Sequence, residues 1–184
     1  MSIARPHQLC IVSPVEVPVL LIGGRADAVT WTPGINATGI RQVVRTAAAT
    51  AVSYWIDVPT EHTNGSGTPF AFQPTGLRLL YTIGAAAAND VRVELWRRSR
   101  AAGAVTTGVL GGNNNAEYDA AHDTAAERGA IAANTEATVG LPAANQLWLD
   151  TDQNLTIRVF IDAALTTTFS VLDCVLLGNR YLQF

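Results

Sequence analysis

Several stretches of this chain alternate apolar and polar residues with a period of two, and that alternation limits the fold more than any motif does. Leu77, Leu79, Tyr81 and Ile83 share one parity, with Arg78 and Thr82 on the other. Val91, Val93 and Leu95 alternate with Arg92, Glu94 and Trp96. Leu155, Ile157, Val159 and Ile161 alternate with Thr156, Arg158, Phe160 and Asp162. Val52, Tyr54, Ile56 and Val58 stand opposite Ser53, Trp55 and Asp57. This is the period of a pleated strand with one buried face. The runs at 77–83 and 91–96, joined by a small-residue connector, read as antiparallel neighbours. About eight strands can be counted. The predicted fold class is all-β, an antiparallel jelly-roll β-sandwich.

Between these runs the assignments are coarser. Val29 and Trp31 share a face, and Pro33-Gly34 reads as a turn. Arg41 to Val58 holds one long strand or two short ones, Pro59 to Pro69 a loop, and residues 70–73 a short strand. Ala101 to Ala133 is the least regular part, with one short helix within Ala116–Arg128. Ala137 to Leu141 and residues 166–177 read as strands, Gly178-Asn179 as a turn, and Tyr181 to Phe184 as a last edge segment.

Residues 1–24 read as an extended N-terminal arm, followed by the sandwich domain at 25–184. Pro6, Pro14 and Pro18 forbid a helix there. The arm is nevertheless apolar, with Val12, Val17, Leu20 and Ile22 among its side chains, whereas a disordered tail is polar. It must therefore lie against something, either its own domain or a neighbouring subunit.

Composition excludes several classes. The chain has 184 residues, enough for a full core without disulfides or metals. Its net charge is −3 and all twelve basic residues are Arg, spread out except at Arg97, Arg98 and Arg100. That argues against a nucleic-acid binder, which needs a basic face. The longest apolar run, Val17 to Ile22, is too short to span a bilayer. No signal-peptide pattern is evident at the N-terminus, so export by the usual route is not expected. Only 15% of residues are charged, which suits a surface packed against others. Cys10 and Cys174 are expected as reduced thiols, with a bridge between them the lesser reading.

No catalytic motif stands out, and an enzyme is not expected. His62 and His122 lack the spacing of a metal-binding jelly roll and read as solvated loop histidines. Asp150, Asp152 and Asn154 begin like a calcium loop, but Leu155 and Ile161 occupy positions needed for its glycine and glutamate. Asp57 with Glu61, and Asp90 with Glu94, have the look of glycosidase pairs but read as solvated charges. No metal or cofactor is expected. Trp55 and Trp96 fall on the polar parity of their strands, where aromatics either fill an interface or stack on sugar rings.

The segments Tyr54-Trp-Ile-Asp-Val-Pro59, Leu77-Arg-Leu-Leu-Tyr-Thr-Ile, Val91-Arg-Val-Glu-Leu-Trp and Leu155-Thr-Ile-Arg-Val-Phe-Ile-Asp-Ala-Ala resemble the single jelly-roll virion proteins of tailed bacteriophages. Capsid decoration or cement proteins are among these. The likeness spans residues 40 to 184 and is one of strand order and texture. It implies a non-enzymatic homotrimer, made in the host cytoplasm and bound on the outer capsid of the virion. There it would stabilise junctions between major capsid protein subunits. On this reading Val12, Val17, Leu20, Ile22, Trp55 and Trp96 are the protein-interface residues. The alternative is a carbohydrate- or receptor-binding β-domain of a phage fibre or head spike, with Trp55 and Trp96 as a sugar platform. A third class, a metal-dependent jelly-roll enzyme, would need a tightly held metal.

Overall fold

A computed structural model describes residues 10–19, 21, 25–26, 31–45, 51–58, 71–101, 104–149 and 153–183. Among these, eleven strands form two antiparallel sheets. They are β1 (Cys10–Pro18), β2 (Arg25–Ala26), β3 (Trp31–Ile35), β4 (Arg41–Arg45), β5 (Ala51–Val58), β6 (Ala71–Gly84), β7 (Ala88–Ala101), β8 (Ala104–Gly111), β9 (Ala132–Gly140), β10 (Gln153–Ala163) and β11 (Thr168–Gln183). One sheet runs β3-β4-β11-β6-β9, with β1 also paired to β11. The other runs β2-β5-β10-β7-β8. The central quartets β4-β11-β6-β9 and β5-β10-β7-β8 are the two halves of a jelly roll, in which consecutive strands mostly cross between sheets.

The alternation places the inner faces as read. Val52, Tyr54, Ile56, Leu77, Leu79, Tyr81, Ile83, Val91, Val93, Leu95 and the odd positions from Leu155 to Ile161 are all buried in one core. Strand pairing differs from the reading. β6 and β7 are not neighbours: β6 lies between β11 and β9, and β7 lies between β10 and β8. The small connector carries the chain from one sheet to the other, with Ala85 at φ 65°. Arg41 to Val58 likewise splits into β4 and β5 on opposite sheets.

Other local readings are corrected for physical reasons. Pro33-Gly34 lies inside β3, an edge strand, where a missing amide costs no ladder bond. The turn is at Asn36–Ile40, whose Asn36 Oδ1 accepts from the Thr38 amide at 3.0 Å, its hydroxyl at 2.8 Å and the Ile40 amide at 2.9 Å. Gly178-Asn179 lies within β11, where the register shifts beside Gly178 and a Cβ there would strike the Phe72 ring. Among its described residues the irregular segment contains β8, a 3-10 turn at Asn115–Glu117 and a four-residue helix, α1 (Ala125–Arg128), capped by a reciprocal Thr124–Glu127 box.

The N-terminal stretch is extended as read, but its described part lies on its own domain. β1 pairs with β11 from Cys10↔Gln183 to Pro18↔Val175, and Val19 and Leu21 are buried in the core. The Val19 amide donates to the Cys174 carbonyl at 2.9 Å, and the Tyr54 hydroxyl donates to the Leu21 carbonyl. Leu20 and Ile22 lie outside the described residues. Packing within the chain thus accounts for Val17, Val19 and Leu21. Deleting residues 1–22 removes Val17, Val19 and Leu21 from the core, at about 1.5–3 kcal/mol per buried side chain. Urea denaturation should show a loss of roughly 5 kcal/mol or outright unfolding. An arm that folds independently of the domain would leave the midpoint unchanged.

Candidate functional site

The outer face of the five-stranded sheet carries an unusual set of side chains. Because odd positions of β7 and even positions of β5 face the core, Ser53, Trp55 and Asp57 point outward from β5, and Asp90, Arg92, Glu94 and Trp96 from β7. Arg158 and Phe160 point outward from β10 between them. Cross-strand register then sets Arg158 between Trp55 and Glu94, and Phe160 between Ser53 and Arg92.

These residues touch as one ladder. Trp55 and Trp96 meet edge to face with centroids 5.6 Å apart. The Arg158 guanidinium lies 5.4 Å from the Trp55 centroid and 5.0 Å from that of Phe160. The Arg92 guanidinium covers Phe160 at 4.5 Å. Glu94 joins the ends. Its Oε2 accepts from Trp96 Nε1 at 2.9 Å and from Arg158 Nη1 at 3.2 Å, and its Oε1 lies 3.6 Å from Arg92 Nη1. Arg158 Nε donates to Ser53 Oγ at 2.8 Å. Glu94 is only 2% exposed, so the reading of a solvated charge is corrected: this carboxylate is roofed by the rings and guanidiniums it binds. The two indoles are partly exposed; Trp96 is hydrogen-bonded to Glu94, and Trp55 lies against Trp96 and the Arg158 guanidinium.

A buried arginine connects this face to the β8–β9 insertion. Arg128 is 2% exposed. It donates from Nε to the Val91 carbonyl (2.6 Å), from Nη1 to the His122 carbonyl (2.9 Å), and from Nη2 to Asp90 Oδ1 (2.9 Å) and Asn115 Oδ1 (3.0 Å). Its guanidinium sits 4.3 Å from the Tyr118 centroid. The Tyr118 hydroxyl donates to the Gly112 carbonyl at 2.8 Å and accepts from the Val93 amide at 3.0 Å, while burial pushes its pKa well up. Asp90 also pairs with Arg92 Nε at 2.8 Å, so the chain Arg128–Asp90–Arg92–Glu94–Arg158 alternates in charge from the interior to the face.

His122, read as a solvated loop residue, is partly buried, and its Nδ1 lies 2.7 Å from Asp119 Oδ1. Burial opposes the Asp119 charge, but hydrogen bonds from the Thr138 amide, His122 and the Ala121 amide outweigh it and hold the carboxyl below its ordinary pKa. Asp119 therefore ties the insertion to β9 at neutral pH, and the tie is lost as pH falls through that lowered pKa. Among the described residues no group of three or more His, Cys, Asp or Glu is placed to hold a metal. His62 and the loop containing Asp150 and Asp152 lie outside the described residues. Cys174 is a free thiol, and complete burial pushes its pKa to about 12. Of the interface residues read from the sequence, Trp55 and Trp96 are brought together, while Val12 is exposed on β1 and Val17 packs on the core, apart from them. From the sequence, Glu94 reads only as a solvated charge beside Asp90, and neither Arg158 nor Arg92 is singled out.

No protein-family model matches the chain, and no curated protein matches it by sequence. Solved structures do match by fold. A xylan-binding module CBM15 superposes with a TM-score of 0.53 at 12% identity, covering 90% of this chain and 97% of that one. A lectin, UEA-II, complexed with galactose gives a TM-score of 0.34 at 9% identity, over 90% of this chain and 98% of that one. The architecture is therefore a jelly-roll β-sandwich of a kind also found in a carbohydrate-binding module.

Replacing Arg128 with Met leaves Asp90 with Arg92 alone and removes the donors to the Val91 and His122 carbonyls and Asn115 Oδ1, emptying a buried hydrogen-bond hub. A loss of about 3–5 kcal/mol is expected in urea unfolding. A change below about 1 kcal/mol would show that the hub is dispensable.

Proposed function

We propose that this protein binds carbohydrate, without catalysis, on the outer face of its five-stranded sheet. The observation that carries this reading is the Trp55–Trp96 pair, partly exposed on a sheet face, with Trp96 bonded to the buried Glu94 carboxylate and Trp55 beside the Arg158 guanidinium. Sugar rings present flat C–H faces edged by hydroxyls. They are bound by aromatic rings that exclude water and by a few polar groups that fix orientation. Here the rings supply the first, and the guanidinium edges of Arg92 and Arg158 with Asp57 and Thr156 supply the second. Fixing both indoles before binding removes much of the ordering cost. The fold shared with a xylan-binding module supports the reading at the level of architecture. Such a domain would serve as the carbohydrate- or receptor-binding part of a phage fibre or head spike.

The second reading is a capsid decoration protein, self-associated as a homotrimer and docked on the major capsid protein. It is favoured by large apolar side chains left in solvent, with Ile35 69%, Leu165 61%, Ile131 60% and Val12 54% exposed. It loses support from β1, which is occupied by pairing with β11 in its own domain.

A glycan array probed with the purified protein, followed by affinity electrophoresis of Trp55→Ala and Trp96→Ala, tests the first reading. Each substitution should weaken binding roughly tenfold or more, about 1.4 kcal/mol, with an unchanged far-UV spectrum. Undiminished binding by both variants, or no glycan bound at all, would refute it.

A further inference from the structure

Resting on the carbohydrate-binding reading, we infer that the glycan recognised on this face is uncharged. The face is rich in arginine, and at first sight Arg92 and Arg158 suit a uronic or sialic acid. Their surroundings oppose it. Arg158 is committed to Glu94 at 3.2 Å and to Ser53 at 2.8 Å. Arg92 is committed to Asp90 at 2.8 Å, with Glu94 at 3.6 Å. Asp90 is itself held by the buried Arg128 at 2.9 Å. Each guanidinium on the ladder thus already faces a carboxylate. Asp57 and Asp162 bring two further negative charges to the same face, at the register positions opposite Thr156 and Asp90.

An incoming carboxylate would meet neutralised arginines and would bring its charge close to Glu94. Displacing Glu94 from its partners would strand a charge that is only 2% exposed, which is a costly exchange. A cationic sugar fares no better, because the Arg158 and Arg92 guanidiniums, 5.4 Å from the Trp55 centroid and 4.5 Å from that of Phe160, would repel it at the rings. Hydroxyl groups need no charge displaced. They meet carboxylate and guanidinium edges that both accept and donate hydrogen bonds. Glu94 therefore acts as a specificity-determining residue, turning an arginine-bearing surface into one that reads neutral hydroxyls.

The test uses the full chain and three kinds of soluble polymer: neutral polysaccharides (β-glucan, galactomannan, dextran), polygalacturonate and chitosan. Affinity electrophoresis and calorimetry are run at about 20 mM and about 500 mM NaCl, which spans strong and weak screening. The expected result is binding of a neutral polymer with an affinity changing less than about twofold with salt, and at least about tenfold weaker binding of both charged polymers. Tenfold preference for polygalacturonate or chitosan would overturn the inference and leave the carbohydrate reading standing. Binding of no polymer at either salt would overturn both. Glu94→Gln leaves Arg158 and Arg92 with less opposing charge, and should gain polygalacturonate binding that weakens as salt rises. A folded E94Q protein that still excludes polygalacturonate would also count against the inference. If E94Q does not fold, the wild-type salt series decides alone.

Discussion

The alternating chain of charges from Arg128 through Asp90, Arg92 and Glu94 to Arg158 ties this molecule together. At its inner end a guanidinium with every nitrogen bonded holds the insertion against β7. At its outer end a carboxylate binds the Trp96 indole and the Arg158 guanidinium that lies beside Trp55. Buried charges of this kind add little net stability, because desolvation offsets their attraction. What they supply is geometry. Each partner constrains the next, so Trp96 and Arg158 are linked through the chain to a buried residue of the insertion.

This explains how an ordinary sandwich comes to carry a shaped face. A sheet exterior in water is normally a set of independent polar side chains, each free to move. Here Arg92 and Arg158 bracket Phe160, Arg158 also lies against Trp55, and Glu94 closes the underside. The outward side chains of three adjacent strands thus pack almost as a second core, while the indole rings remain partly accessible to a partner. A partner meeting this face would meet a preformed surface, which tryptophan alone would not provide.

How much of this was legible beforehand differs by kind. Alternation shows which face of a strand is buried, so the inner residues of β5, β6, β7 and β10 were readable. It carries no information on which strand lies alongside, so the β6–β7 pairing was misread and the sheet crossing missed. β8 escaped notice because residues 104–108 are exposed on both faces and show no parity. Trp55 and Trp96 stood out as aromatics on polar parity. Glu94 and Arg158 did not, since a charge on that parity looks the same whether it is free in water or locked beneath an indole; only register brings them together. The arm's role turned on β11, more than 150 residues away in sequence, which no local pattern could indicate.

The strand order also has a consequence for how the chain comes to be folded. The last two strands, β10 and β11, occupy the middle of the two sheets, and the first strand has its partner in the last. As the chain emerges from the ribosome, β5 and β7 lack the strand that joins them, as do β4 and β6, until β10 and β11 arrive. Contacts this distant in sequence close slowly. Until then the greasy inner faces of the early strands stay open to water and to each other. Synthesis of β10 and β11 is therefore the event that converts a sticky intermediate into a closed sandwich, and deleting either strand would remove a keystone.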